Sequence, residues 1–245
     1  MVLGVSGVDV TFFEEALRRE VRPGSFTVEI GDSALPVAPQ PLEWWKREPG
    51  AKPPVGSDVL DWVQDGYVLD IGCATGRDLE ILARRGVRGH GIELIPAAVE
   101  MARAAGVSCV RADVFSYVPP RTVDAVLAVG GNGGMAARLA ALPEFLRRLS
   151  SWLSETGRIV FTSTDWRKLP PGTFNDGELP EGGYRGDIRM RLWLEDVAGP
   201  WFPWLFADPE ALEKACSDVG LRIADRKEWQ GGIAYAALLE RAASA

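Results

Sequence analysis

The stretch that decides the fold is Val68-Leu69-Asp70-Ile71-Gly72-Cys73-Ala74-Thr75-Gly76-Arg77-Asp78-Leu79. It begins as an apolar run, passes through an acid and a turn of small residues, and continues into a predicted helix. Small residues let the backbone turn sharply and approach a ligand closely. The amino end of the helix then offers free N–H groups and a positive dipole end to a carboxylate or phosphate. The pattern predicts a nucleoside cofactor at the mouth of a parallel sheet.

The acid in this stretch separates two classes of cofactor. Dinucleotide folds use Gly-x-Gly-x-x-Gly, whereas here Ala74 stands at the second glycine and Arg77 at the third. Asp70 precedes Gly72 by two positions, where like-charge repulsion disfavours a pyrophosphate. The same carboxylate attracts a ligand that carries an ammonium group. The alternative for Asp70 is a purely structural acid that caps the turn.

Two further acids end neighbouring predicted strands. Glu93 ends the second strand, where a carboxylate can accept hydrogen bonds from both ribose hydroxyls. Asp113 follows the third strand, where a carboxylate can accept a hydrogen bond from an adenine amino group. Acids at three successive strand ends can therefore meet an ammonium, a ribose and an adenine. This combination matches S-adenosylmethionine.

Four stretches together carry a resemblance to a known family: VLDIGCATGRDLEIL, GHGIELIPAAVEMAR, CVRADVFSY and VDAVLAVGGNGGM. Over roughly residues 55–165 the chain resembles the class I S-adenosylmethionine-dependent methyltransferases. The resemblance implies an α/β, Rossmann-like three-layer sandwich with a seven-stranded, mostly parallel sheet that contains one antiparallel strand. The segments GGNGGM, PWFPWLFADPE and EWWKREPG are also similar to a subset of bacterial small-molecule methyltransferases.

The resemblance implies a cofactor site for S-adenosylmethionine residue by residue. It places Asp70, Gly72, Ala74 and Gly76 around the methionine part, Glu93 at the ribose, Asp113 with Val114 at the adenine, and Gly130 near the amino group. Cys73, Arg77 and Leu94 complete the predicted cofactor-binding set. Many members of the family have glycine where this chain has Ala74, and we expect reduced room rather than lost binding.

The rhythm of the chain agrees with an α/β fold. Apolar segments predict strands at 67–71, 88–93, 108–111, 123–129, 157–164, 221–229 and 232–239. Helical patterns lie between them at 78–85, 96–105, 136–153 and 208–220. The last two strands are joined only by Gln230-Gly231-Gly232, which forces them antiparallel because a parallel crossover needs about a dozen residues.

Two segments lie outside this rhythm and divide the chain. Residues 1–58 form an N-terminal arm, with a capping box at Thr11-Phe12-Phe13-Glu14, a helix to about Glu20, a hairpin over 25–37 and a proline-rich join. Residues 59–245 form the cofactor-binding domain, and 166–207 is an insertion predicted as a lid over the acceptor site. The insertion holds a predicted strand at 187–194 and many aromatic residues. These form either a packed lid core or a cage for a cationic amine.

The acceptor side of the site has weaker signals. We predict substrate contacts from Trp44, Trp45, Asn132, Trp166 and Trp204, and proton handling or acceptor orientation by Asp165 and Tyr184. Each has a structural alternative: the two tryptophans of the arm can pack their own hairpin, and Asp165 can be an acid that starts a loop. His90, the one histidine, lies within a predicted strand and is expected in the core. A hydroxyl acceptor usually needs a general base, so we favour a nitrogen or carboxyl acceptor.

Composition excludes several partners. The net charge of −7 argues against bulk binding of nucleic acid. Three widely spaced cysteines form neither a disulfide framework nor a zinc pattern, so we predict no metal and a reducing, cytoplasmic location. No signal peptide or membrane span is apparent, and the expected partner is a small-molecule methyl acceptor. The oligomeric state stays open. The alternatives are an RNA or protein methyltransferase and a non-catalytic module that binds the cofactor.

Overall fold

The computed structural model describes residues 10–31, 33–54, 56–174 and 183–243. The helices are α1 (Thr11–Arg18), α2 (Leu42–Trp45), α3 (Arg77–Arg84), α4 (Pro96–Ala104), α5 (Leu142–Ser151) and α6 (Pro209–Ser217). The strands are β1 (Phe26–Ile30), β2 (Ala38–Pro39), β3 (Tyr67–Ile71), β4 (Arg88–Glu93), β5 (Cys109–Arg111), β6 (Val123–Ala128), β7 (Leu153–Thr164), β8 (Asp187–Leu194), β9 (Val197–Ala198), β10 (Phe202–Leu205), β11 (Leu221–Trp229) and β12 (Ala234–Arg241). Short 3-10 turns join several of these elements.

The main sheet has seven strands in the order β11-β12-β7-β6-β3-β4-β5. Strands β5, β4, β3, β6 and β7 pair in parallel with one another, in that order. Strand β12 runs antiparallel to both β7 and β11. The sequence-based prediction of seven strands with one antiparallel strand is therefore confirmed, and so is the antiparallel pairing of the last two.

Helices cover both faces of the main sheet and make it the middle of three layers. On one face, Phe145, Leu146 and Leu149 of α5 pack with residues of α6 and with the sheet. On the other face, Leu79 and Leu82 of α3 pack with the sheet and with α4. Burying each such side chain contributes about 1.5–3 kcal/mol, so the two apolar layers hold the strand ends in a fixed arrangement.

A second sheet is built from two segments that are far apart in the chain. Strand β1 of the arm pairs antiparallel with β8 of the insertion along its whole length, and β10 and β2 extend the sheet in the order β10-β8-β1-β2. Ile188, Leu192 and Leu194 of β8 are buried at alternate positions. Leu192 and Leu194 join an apolar cluster that includes residues of α1 and α4, so the second sheet is anchored to the main domain.

Two predictions for the arm are wrong. The amino-terminal cap of α1 is Val10 without a side-chain cap, and Thr11 is the first helical residue rather than part of a capping box. Glu14 instead accepts a hydrogen bond of 2.7 Å from the backbone N–H of Ala97, at the start of α4. The predicted hairpin over 25–37 has the wrong bounds, because β1 pairs antiparallel with β2 at 38–39, beyond the predicted range, and along its whole length with the longer β8. Asp32, in the middle of that predicted hairpin, lies outside the described residues.

The long helix predicted over 136–153 is also shorter than expected. The α-helix begins only at Leu142, with Pro143 in its first turn, and two 3-10 turns precede it. Proline suits the first turn of a helix because the amide hydrogen it lacks would have no partner there. The residues before Leu142 are thereby left to form a tight turn after β6.

Candidate cofactor and acceptor site

A cavity of about 690 Å³ is lined by the carboxyl ends of the parallel strands and by the second sheet. Ten of the predicted cofactor residues line it: Asp70, Gly72, Cys73, Ala74, Arg77, Glu93, Leu94, Asp113, Val114 and Gly130. Four of the predicted substrate residues do so as well: Trp44, Trp45, Asn132 and Trp204. The volume lies within the range of about 300–1,000 Å³ that is typical of small-molecule sites.

Asp70 is a buried acid of the cavity with an unpartnered oxygen. Its side chain is only 2% exposed, and its Oδ1 atom is buried without a hydrogen-bond partner. Burial, together with the nearby charges of Asp78 and Glu93, raises the pKa of Asp70 well above its ordinary range. An unpaired buried carboxylate is costly unless a cation or a donor meets it. The geometry therefore fits a ligand that brings a positive charge to the end of β3.

The glycine turn after β3 is held by Asn132. The side-chain Nδ2 of Asn132 donates to the carbonyl oxygens of Ile71 at 2.8 Å and Gly72 at 3.1 Å. Gly72 has φ +67°, and a Cβ there would lie 2.5 Å from Cε of Met135. Gly76 has no room either, since its Cβ would lie 2.8 Å from Cγ1 of Val107. Gly76 is absent from the cavity lining, so it shapes the turn by packing.

Glu93 and Asp113 hold the backbone around them and still present oxygens to the cavity. Glu93 accepts hydrogen bonds from the backbone N–H groups of Ala74 at 2.8 Å, Leu94 at 2.7 Å and Ile95 at 3.1 Å. Burial nevertheless raises the pKa of Glu93. Asp113 Oδ1 accepts from the N–H of Phe115 at 2.9 Å. A carboxylate has about four acceptor sites, so both acids can also accept from a ligand.

Ala74, the departure from the family pattern, fits the turn without loss of its backbone contacts. It adopts φ +46°, in the left-handed region, and its N–H is the group that donates to Glu93. Non-glycine residues reach this region at a cost of about 1–2 kcal/mol, which the hydrogen bond to Glu93 helps to offset.

The N-terminal arm closes over the glycine turn. The guanidinium carbon of Arg77 lies 3.8 Å from the centre of the Trp44 ring. Arg47 donates to the carbonyl oxygen of Thr75 at 2.7 Å and forms an ion pair with Glu80 of α3. Trp45 packs against Phe13 with ring centres 5.0 Å apart. Trp45 packs within the arm, and both Trp44 and Trp45 line the cavity. Packing of the arm and a place beside the substrate, the two interpretations from the sequence, therefore do not exclude each other.

Replacing Arg47 tests this closure. We expect Arg47→Gln to weaken cofactor binding about fivefold, because loss of one hydrogen bond or ion pair costs roughly 1 kcal/mol and frees the arm from the turn. The matched control is Arg85→Gln, which breaks an exposed pair with Asp61 at 2.9 Å. Titration calorimetry measures both. Equal affinity in the Arg47 variant and the wild type would show that the arm does not support the turn.

Three predicted residues are not brought into the cavity. Asp165 accepts from Nε of Arg167 at 3.0 Å and caps the short turn at Trp166–Lys168. The hydroxyl of Tyr184 donates to Asp208 at 2.6 Å, and Trp166 packs edge-on against Tyr184. Neither Asp165, Tyr184 nor Trp166 lines the cavity, because they brace the segment that leads into α6. The predictions of proton handling by Asp165 and Tyr184, and of substrate contact by Trp166, therefore lack support in the structure.

His90 lies in the core, as predicted. Its side chain is 4% exposed, and Nε2 is 2.7 Å from the hydroxyl of Tyr117. Burial lowers the pKa of His90, and the residue does not line the cavity. No histidine of the described lining can therefore act as a general base, which is the reason for favouring a nitrogen or carboxyl acceptor over a hydroxyl.

Sequence reasoning missed much of the second wall of the cavity. The missed lining residues from the arm and the insertion include Phe13, Val28, Met190, Leu192, Phe202 and Phe206. Met190 and Leu192 lie two positions apart on β8, so the alternation of that strand was a usable signal. Phe13 carried no such signal, because its place depends on how α1 packs against the second sheet.

The comparisons with known proteins agree with this geometry. Residues 58–225 match the family model described as a methyltransferase domain. The chain belongs to this methyltransferase family. No curated protein sequence matches the methyltransferase.

Solved structures of the same fold include S-adenosylmethionine-dependent enzymes. One from Bacteroides fragilis, in complex with S-adenosyl-L-homocysteine, has 22% identity and a TM-score of 0.74 and covers 99% of this chain and 97% of its own. The CcbJ methyltransferase from Streptomyces caelestis has 16% identity and a TM-score of 0.65, covering 82% and 96%. CalS10, an amino pentose methyltransferase from Micromonospora echinaspora, has 21% identity and a TM-score of 0.54, covering 75% and 86%. These structures show that the chain shares the fold of S-adenosylmethionine-dependent methyltransferases.

The residues of the cavity fit this cofactor. S-adenosylmethionine carries an ammonium and a sulfonium, and the unpartnered Oδ1 of Asp70 lies in a cavity whose strand ends carry further acids. Among the described residues, no group of three or more His, Cys, Asp or Glu side chains is placed to hold a metal ion. No helix in the described ranges is long and apolar enough to cross a membrane.

The raised pKa values of Asp70 and Asp78 predict that cofactor binding depends on pH. Burial raises the pKa of Asp78 from 3.8 to about 6, and the pKa of Asp70 is raised in the same sense. The folded state therefore holds these protons more tightly than the unfolded state, and unliganded stability falls as pH rises through that window. A cationic ligand stabilises the ionised acids. We expect the cofactor-induced increase in Tm to be larger at about pH 7.5 than at about pH 5, as measured by calorimetry. An increase that is equal at both values would contradict this assignment.

Proposed function

We propose that this methyltransferase acts on a small-molecule acceptor bound between the strand ends of the main sheet and the second sheet. The observation that carries the proposal is the continuity of the cavity, which runs from Asp70 and Glu93 to Trp45, Met190 and Trp204. The arm, residues 1–58, and the insertion, residues 166–207, would then form the acceptor pocket together, with the insertion as its lid. Their shared strand pairing supports this, because β1 and β8 build one wall from both segments.

We assign to the cofactor residues the roles that the resemblance implies, and their place in the cavity lining supports this assignment. When bound, S-adenosylmethionine supplies an electrophilic methyl group. We assign Asp70 to the ammonium, Glu93 to a ribose hydroxyl, and Asp113 with Val114 to the adenine. Asn132 and Arg47 keep the turn in shape through its backbone carbonyls. The chain thereby aligns the reactants and excludes water, which can supply much of the acceleration of such a displacement.

A nitrogen or carboxyl acceptor agrees with the described lining. Beyond the strand-end acids, the glycine turn and the start of α3, the titratable side chain of the described lining is Tyr235, whose hydroxyl donates to the carbonyl oxygen of Ala207 at 2.7 Å. Burial raises the pKa of Tyr235, so this hydroxyl is a poor base. A nucleophile that needs no protein base therefore suits the site best.

A small acceptor is also supported by the neighbours and by charge. CalS10 is an amino pentose methyltransferase, which shows this fold on a small-molecule substrate. A net charge of −7 disfavours an RNA acceptor. A protein acceptor and a non-catalytic role are the competing outcomes of the test, and a cytosolic location stays a prediction.

The decisive experiment follows a methyl label. The protein is incubated with S-adenosylmethionine bearing a deuterated methyl group and with pooled amines, carboxylic acids and phenols, and also with total RNA and protein. We expect mass spectrometry to find the label in a small molecule. Label in RNA or protein would overturn the proposal, and cofactor binding without any labelled product would favour the non-catalytic module.

A further inference from the structure

The second sheet gives the cavity a wall of one chemical kind. Most lining residues from the arm and the insertion are apolar or aromatic, the exceptions being Gln40, Gly56 and Ser57: Val10, Phe13, Leu17, Val28, Pro41, Trp44, Trp45, Pro54, Met190, Leu192, Phe202, Trp204 and Phe206. The charged lining residues of the described chain are Asp70, Arg77, Asp78, Glu93 and Asp113. These belong to the glycine turn, the start of α3 and the strand ends. Charge is therefore confined to the cofactor end of the cavity.

The apolar wall is incompletely buried. Phe13, Trp45, Trp204 and Phe206 are half-buried although they line a cavity, whereas core rings such as Phe26 are 1% exposed. Covering apolar surface of this kind is favourable, and small-molecule sites are usually lined in this way. The protein leaves these rings partly uncovered, and an apolar ligand in the cavity would cover them.

Trp204 has a fixed position in this wall. A Cβ at Gly134 would lie 1.9 Å from Nε1 of Trp204, so the indole rests directly on the glycine backbone. Phe202 contacts Trp204 edge-on, with ring centres 6.1 Å apart. A held indole favours a planar ring that can stack or meet it edge-on.

Two tryptophans of the insertion, Trp193 and Trp201, have a cationic partner within the chain itself. Arg191 lies over the rings of Trp193 at 4.8 Å and Trp201 at 4.5 Å, and Glu29 accepts from Nε1 of Trp193 at 2.6 Å. None of these four residues lines the cavity. A charged amine that entered the apolar end would lose water without gaining a counter-charge from the described wall.

We infer that the acceptor is an uncharged, planar ring compound that binds against Trp204, Met190 and Trp45 of this apolar wall. The inference rests on the proposed function and narrows its substrate class. Of the nitrogen and carboxyl acceptors favoured above, it selects a flat, neutral nitrogen compound over an ionised carboxylate, and over a charged amino sugar of similar size.

The test compares two probes on the protein saturated with S-adenosylhomocysteine. Calorimetry measures 2-naphthol, a neutral bicyclic ring, and glucosamine, a cationic amino sugar. We expect 2-naphthol to bind at least about tenfold more tightly than glucosamine. Trp204→Ala should weaken 2-naphthol about tenfold, and Met190→Gln, which nearly keeps the shape of the side chain, should weaken it severalfold. Both variants should keep their affinity for S-adenosylhomocysteine.

The matched control is Trp193→Ala, which removes a half-buried tryptophan of β8 outside the cavity and should leave 2-naphthol binding unchanged. Tighter binding of glucosamine, or equal losses in the Trp193 and Trp204 variants, would overturn the inference. If Trp204→Ala does not fold, Met190→Gln decides. Normal cofactor binding without 2-naphthol binding refutes this inference alone, whereas failure to bind S-adenosylmethionine refutes the proposed function as well.

Discussion

Replacing Asp70 by Asn is expected to weaken S-adenosylmethionine binding by about 10- to 150-fold while leaving the unliganded protein as stable as the wild type or more stable. The lost interaction is a hydrogen bond to a charged group, which is worth about 1.5–3 kcal/mol. In the unliganded fold the same carboxylate is buried, and one of its oxygens has no partner. Removing that charge therefore removes an unfavourable contribution to the stability of the unliganded protein. Calorimetric titration and thermal unfolding measure the two effects separately.

Asp165 provides the matched control. It is also 2% exposed, but it is paired with Arg167 at 3.0 Å and lies outside the cavity lining. We expect Asp165→Asn to lower the free energy of unfolding by about 1–3 kcal/mol, because the guanidinium loses a charged partner, and to leave cofactor affinity unchanged. If Asp70→Asn destabilises the protein and keeps full affinity, then Asp70 is a structural acid.

The second large effect is expected at Gly72. Alanine at this position would keep φ near +67° and bring Cβ to 2.5 Å from Cε of Met135 and 2.8 Å from Nδ2 of Asn132. The left-handed backbone costs about 1–2 kcal/mol and overpacking about 1–3 kcal/mol. We expect Gly72→Ala to lower the free energy of unfolding by roughly 2–5 kcal/mol and to impair cofactor binding, since Asn132 must release the turn.

Gly106→Ala separates the cost of the left-handed backbone from the cost of a steric clash of the added Cβ. Gly106 has φ +79°, and a Cβ there meets nothing within 4 Å. This variant should show only the backbone cost of about 1–2 kcal/mol and normal cofactor binding. Denaturant unfolding of both variants gives the difference. Equal destabilisation of the two would mean that the packing around Met135 and Asn132 adjusts freely.

The cofactor half of the site could be predicted from sequence because its determinants are local. Asp70 and Glu93 lie at or near the ends of short strands that the apolar pattern predicts, and Asp113 follows a third such strand. Because these strands are parallel, their carboxyl ends, and with them the three acids, lie at one edge of the sheet. The surrounding turn also obeys local rules, since Gly72 and Gly76 need a positive φ.

The acceptor half could not be predicted in the same way, because it depends on contacts between distant parts of the chain. Strand β1 is too short to choose its partner locally: two of its residues pair with the neighbouring β2, whereas all five pair with the distant β8. Asp165 and Tyr184 lie near the correct edge of the sheet, but Arg167 and Asp208 take up their polar atoms. Only the packed structure shows which side chains are left facing the cavity.

The pairing of β1 with β8 also bears on how the protein folds. Forming it requires the chain to close a loop that contains most of the main sheet, and such distant contacts form late because their entropic cost comes before their benefit. We therefore expect the strand ends of the main sheet that bind the cofactor to form first, and the wall of the acceptor site built by β1 and β8 to form last. Loss of the first thirty or so residues would remove a central strand of the second sheet and leave a protein that holds its cofactor beside an unfinished wall.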